Sequence, residues 1–100
     1  MITHVAQFVS WLLVEKGYST HTADAYQRDI ADFLRSCNQD TGPEQLNANQ
    51  VRSFVASLYR TNASASVARK LSALRTFFRY LKREGVLETD PMAGVASPKL

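Results

Sequence analysis

From Ser66 to Glu84 the chain repeats its apolar residues every three and four positions, a spacing that one long α-helix satisfies and a strand does not. With Arg69 taken as zero and about 100° per residue, Leu71, Phe78, Leu74, Leu81 and Phe77 fill an arc from about 200° down to about 80°. Thr76, Arg83, Ser72, Arg79, Arg75 and Lys82 fill the opposite arc, from about 340° down to about 220°. One side is core and the other is charge.

No run of four or more residues alternates as a strand would, while three further segments carry helical periodicity. The expected fold is all-α, a single orthogonal four-helix bundle with at most one further helical turn. A first helix is expected from about Thr3 to Lys16, with Ile2, Val5, Phe8, Val9, Leu12 and Leu13 inward and Gly17 as a left-handed stop. Trp11 and Val14 lie off that stripe, where they either widen the buried face or meet a neighbouring molecule. The second helix starts after Tyr18 and Ser19, with Ser19 or Thr20 capping it, and runs to about Ser36. Ala23, Tyr26, Ile30, Phe33 and Leu34 form its apolar stripe, and Asp24, Arg28 and Asp32 are spaced to pair along its outside. Asn38 to Glu44 reads as a polar loop with a Gly-Pro turn. Asn47 and Gln50 have the spacing of a capping box that opens a third helix, with Val51, Phe54, Val55 and Leu58 inward up to about Tyr59. Ser64 or Ser66 is expected to cap the fourth helix, and Glu84-Gly85 to end it. Asp90-Pro91 then has the form of a cap followed by proline in a first helical position. The patternless tail 95–100 reads as a linker, which leaves residues 1–94 as the domain.

The charge is unevenly placed. Between Glu44 and Glu84 there is no acidic residue, yet the stretch holds Arg52, Arg60, Arg69, Lys70, Arg75, Arg79, Lys82 and Arg83. Surfaces made only for solubility mix both signs. A one-signed helix face points instead to a polyanion, and nucleic acid is the first candidate. Cys37 is the sole cysteine, which excludes an intramolecular disulfide and a thiolate zinc site and suits a reducing compartment. It is expected to be a small buried apolar residue. The opening lacks the pattern of a signal peptide, no apolar run approaches a membrane span, and a cytoplasmic protein is expected. His4 and His21 stand on different segments, and no Gly-rich phosphate loop or Ser/His/Asp set is present. No cofactor, metal or membrane partner is expected.

The string Ser66-Val-Ala-Arg-Lys-Leu-Ser-Ala-Leu-Arg-Thr-Phe-Phe-Arg-Tyr-Leu81, followed by Asp90-Pro91 and Ala96-Ser-Pro-Lys99, closely resembles the amino-terminal core-binding, SAM-like domain of tyrosine recombinases of the phage integrase family, with Xer-type enzymes the nearest likeness. Ser19-Thr-His-Thr-Ala-Asp-Ala-Tyr-Gln-Arg-Asp-Ile-Ala-Asp-Phe-Leu34 resembles the same family, with Ile30 where leucine is usual. The likeness covers nearly the whole chain. It implies half of a clamp around duplex DNA at a recombination core site, with the second and fourth helices at the major groove, and other recombinase protomers joining in a synaptic tetramer. It also implies that the nucleophilic tyrosine belongs to a separate carboxy-terminal domain, so Tyr18, Tyr26, Tyr59 and Tyr80 are expected to be structural and this chain is not expected to be an enzyme by itself.

The residues expected to meet DNA are Thr20, His21, Thr22 and Arg28 on the second helix and Arg69, Lys70, Ser72, Arg75, Thr76 and Arg79 on the fourth. Ordinary helix capping explains Thr20, His21 and Thr22 equally well. Lys70 faces the core side at about 100°, but near a helix start it has the reach to extend past the core's end. Two other classes remain: a helical module that docks an acidic protein, and a complete enzyme of unknown chemistry.

Overall fold

The computed structural model describes residues 2–37 and 42–93. The centre of the polar loop, the inward packing of the Ile2 side chain and the linker 95–100 with its Ser-Pro-Lys lie outside the described residues. Four helices follow one another: α1 (Ile2–Val14), α2 (Thr20–Ser36), α3 (Ala48–Thr61) and α4 (Ser64–Arg83), with a short 3-10 turn at Pro43–Gln45. Among the described residues there is no strand.

Local chemistry sets most of these boundaries. Ser19 is the N-cap of α2, its Oγ accepting from the Thr22 amide at 3.1 Å. The capping box at α3 forms as its sequence requires: the Gln50 amide donates to Asn47 Oδ1 at 3.0 Å and the Asn47 amide to Gln50 Oε1 at 2.9 Å. Gly17 and Gly85 have φ of 67° and 77°, in the left-handed region where a Cβ is strained. At Gly85 this closes a Schellman motif, with the Val86 amide on Leu81 O at 2.9 Å and the Gly85 amide on Lys82 O at 3.1 Å. Asp90 ends the described chain in a tight turn, its Oδ1 accepting from the Met92 amide at 2.8 Å.

Three expectations need correction. α1 stops at Val14 rather than Lys16, because the Lys16 and Tyr18 amides turn back onto the Trp11 and Leu12 carbonyls and leave the i to i−4 pattern. Neither Ser64 nor Ser66 caps α4: the N-cap is Ala63, without a side-chain bond, and both serines already lie in the first turn. Leu13 is partly exposed rather than inward.

α4 is the centre of the bundle. Its buried set is Val67, Leu71, Ala73, Leu74, Phe77, Phe78, Tyr80 and Leu81. α2 covers it through Phe33, whose ring stands edge-on to Phe78 at 5.7 Å, and α1 through Phe8, 5.1 Å from Phe77 and 5.6 Å from Tyr80. α3 closes the remaining side with Val51, Phe54, Val55 and Leu58, all buried. Trp11 widens the buried face by packing 5.0 Å from Tyr80, whereas Val14 is exposed. Cys37 is half-buried at the edge of this core, and burial pushes its thiol pKa up, away from a reactive thiolate. No helix among the described residues is long and apolar enough to cross a membrane.

Candidate nucleic-acid interface

With its apolar arc sealed by three helices, α4 turns the other arc outward. Ser72, Arg79, Lys82 and Arg83 are exposed, and Arg75 and Thr76 are half-exposed. Arg75 and Arg79 stand one turn apart, about 6 Å along the axis. None of Arg75, Arg79, Lys82 and Arg83 is in an ion pair among the described residues. Four cations on one ridge repel each other, and an external anion relieves that repulsion. Thr76 Oγ1 donates to Ser72 O at 2.8 Å, so its hydroxyl proton is already engaged and the oxygen is left as an acceptor. Arg83 also lies 5.9 Å from the Trp11 ring centroid, with Lys16 at 5.3 Å from the same ring, which fixes the far end of the ridge to α1.

The amino-terminal end of α4 is built differently. Asp29, on α2, is 1% exposed and accepts from Arg69 Nε at 3.0 Å, Arg69 Nη2 at 2.9 Å and Lys70 Nζ at 3.1 Å. Lys70 Nζ also reaches Asp32 at 3.2 Å, and Asp32 pairs with Arg35 one turn on. The Lys70 side chain is only 12% exposed, so its ammonium lies between two carboxylates instead of extending past the core's end. Arg69 keeps half of its side chain, 49%, in solvent. Its hydrogen bonds to Asp29 push the guanidinium pKa above its ordinary value.

On α2, Arg28 pairs with neither Asp24 nor Asp32 in any ion pair among the described residues; Asp32 is paired with Lys70 and Arg35 instead. The exposed Arg28 borders the same recess of about 330 Å³ as Arg69 and Asp29. Thr22 belongs to the cap, its Oγ1 accepting from Ser19 Oγ at 3.0 Å, while Thr20 and His21 stand exposed in the first turn. Arg69, Ser72, Arg75, Thr76 and Arg79 therefore share one face, Arg28 adjoins it across the recess, and Lys70 is withdrawn from it.

Among the described residues the α4 cations are spread along a helix face rather than gathered at one point. Tyr80 and Tyr26 are packed, and burial is the first cause that raises each phenol's pKa, with Glu84 adding to it at Tyr80 and Tyr18 and then Asp29 at Tyr26. The described residues hold no cluster of three or more His, Cys, Asp or Glu side chains placed for a metal ion.

Two comparisons bear on this surface. The sequence profile of the phage integrase N-terminal SAM-like domain matches residues 5–85. A tyrosine recombinase XerD from Lacticaseibacillus casei is 39% identical over 98 residues, covering 95% of this chain and 33% of the relative. Tyrosine recombinases XerC from Azotobacter vinelandii and Pseudomonas savastanoi pv. phaseolicola are 41% and 37% identical, over 92% and 99% of this chain and 32% and 34% of theirs. The chain thus spans about a third of the length of these relatives.

Proposed function

The chain belongs to the phage integrase N-terminal SAM-like domain family, and from that premise we propose that it is the DNA-gripping domain of a Xer-type tyrosine recombinase. In this reading residues 1–94 hold duplex DNA at a recombination core site, and 95–100 lead toward a domain that carries the cleavage chemistry. α2 and α4 approach the major groove, and other protomers complete a synaptic tetramer in the whole enzyme. The carrying observation is the ridge of Ser72, Arg75, Arg79, Lys82 and Arg83, which faces solvent with no carboxylate paired to its four cations among the described residues. Arginines on such a ridge hold phosphates, and one reaching a guanine edge reads sequence. Thr20, His21 and Arg28 are the α2 residues placed to add phosphate contacts, with Thr22 supporting the first turn.

Arg75→Ala and Arg79→Ala should each weaken duplex binding by about 1–2 kcal/mol and leave the melting temperature nearly unchanged. Leu74→Ala should do the reverse, since deleting a fully buried leucine costs about 2–5 kcal/mol of folding stability. Gel-shift titration beside thermal melting separates the two classes. Equal loss of stability in the arginine and leucine variants would show that the two faces of α4 are misassigned.

Incubated with a supercoiled plasmid carrying a recombination site, the 100-residue chain should neither nick nor relax it. Covalent attack on a phosphodiester needs an activated nucleophile and fixed positive charge around one phosphate. Here the arginines run along a ridge and the buried phenols are held protonated. Strand cleavage that disappeared on changing any of the four tyrosines to phenylalanine would make the chain an enzyme in its own right.

A further inference from the structure

We infer that Asp29 is a positioning residue for DNA binding: it grips one edge of the Arg69 guanidinium and thereby presents the other edge to a phosphate in a fixed orientation. The inference rests on the DNA-binding reading of the α4 ridge and assigns a role within it to a carboxylate that does not itself touch DNA.

Four observations lead to it. Asp29 is 1% exposed while the Arg69 side chain is 49% exposed, so an incoming anion meets the arginine and not the acid. The carboxylate engages Nε and Nη2 in the two-pronged geometry specific to a guanidinium, at 3.0 and 2.9 Å. Nη1 makes no bond to Asp29, so its two donors remain on the side away from the carboxylate. Arg69 is also three residues from Ser72 and seven from Thr76, the spacing that continues the ridge toward the amino-terminal turns of α4. Without the acid its long side chain would sample many rotamers, and ordering them on binding would weaken the contact.

Lys70 explains why the acid is available for this. Its ammonium stands between Asp29 and Asp32 and offsets the second negative charge, so the buried cluster does not present a net negative potential to DNA. A lysine at position 69 would place a single ammonium on Asp29 and leave no oriented donors outward.

The test measures duplex affinity at low salt for the unmodified chain, Arg69→Ala, Arg69→Lys, Asp29→Asn and the double variant Asp29→Asn/Arg69→Ala, each well below its melting temperature. Arg69→Lys should lose about as much as Arg69→Ala, roughly tenfold, with the salt slope kept because the charge is kept. Asp29→Asn should lose a similar factor, and the double variant should bind within about twofold of Arg69→Ala, since both changes remove one oriented contact. Arg69→Lys binding like the unmodified chain, losses that multiply in the double variant, or tighter binding by Asp29→Asn would each overturn the inference. Where Asp29→Asn fails to fold, the comparison of Arg69→Lys with Arg69→Ala decides alone. Binding that Arg79→Ala weakens and Arg69→Lys leaves intact sinks only the role of Asp29. Absence of duplex binding by the unmodified chain sinks the DNA-binding reading as well.

Discussion

Asp29→Ala should lower the unfolding free energy by about 3–5 kcal/mol, the cost of removing one member of a buried ion pair. The effect does not come from the pair's attraction but from what is left behind. Arg69, half in solvent, can swing into water once the acid is gone. Lys70 has less freedom, because its ammonium sits where the side chain is 12% exposed and would keep only Asp32. Asp32→Ala provides the contrast: Asp32 is 38% exposed and its other partner, Arg35, is 67% exposed, so its loss should cost about 0–1 kcal/mol. Urea denaturation of both variants measures the difference. In a domain of this size each kcal/mol moves the melting temperature by about 4–8 °C, so the two are well separated in a thermal scan too. Equal and small losses would mean that water reaches the cluster and that it does not clamp α2 to α4.

The same cluster marks the limit of what a helical wheel reveals. The apolar stripes of α2, α3 and α4 and the Asn47–Gln50 capping box are visible in the sequence because each depends on residues within one helix. Asp29 had a signal as well. It lies three residues after Tyr26 and four before Phe33, inside the apolar stripe of α2, and an acid in that place needs a buried cation. Lys70, on the core side of α4, is the complementary anomaly. Neither names the other from sequence, and only the packing of α2 on α4 joins them. Tyr80 is a second case: at about 20° on the wheel it falls outside the apolar arc, yet it is 6% exposed because Phe8 and Trp11 of α1 cover that flank. The start of α4 was misread for a local reason, since several nearby serines are equally good caps and the helix begins one residue before any of them is needed. At the interface, the sequence identified the cationic ridge but not which of its cations are held internally.

That division sets the expected salt dependence of DNA binding. Eight cations lie between Glu44 and Glu84 in sequence, and counting all of them as phosphate ligands would overstate the contact. Lys70 is withdrawn between Asp29 and Asp32, and Arg52 and Arg60 belong to α3, off the α4 ridge. Arg69, Arg75, Arg79, Lys82 and Arg83 remain, with the exposed first turn of α2 able to add another contact. Neutralising about 4–6 phosphates releases the corresponding counterions and gives a log–log slope of affinity against salt of about −4 to −5. Raising salt from about 50 to about 200 mM should therefore weaken duplex binding by roughly 250- to 1,000-fold, as read by fluorescence anisotropy at four or five salt concentrations. Binding should be weak and show little sequence preference, because most of these contacts go to the backbone. Arg79→Ala should flatten the slope by about one, and Lys70→Gln should leave it unchanged even where it lowers stability. A slope shallower than about −2 would mean that the ridge does not track a phosphate backbone, and tight, salt-tolerant capture of an acidic protein would then be the better account of its charge.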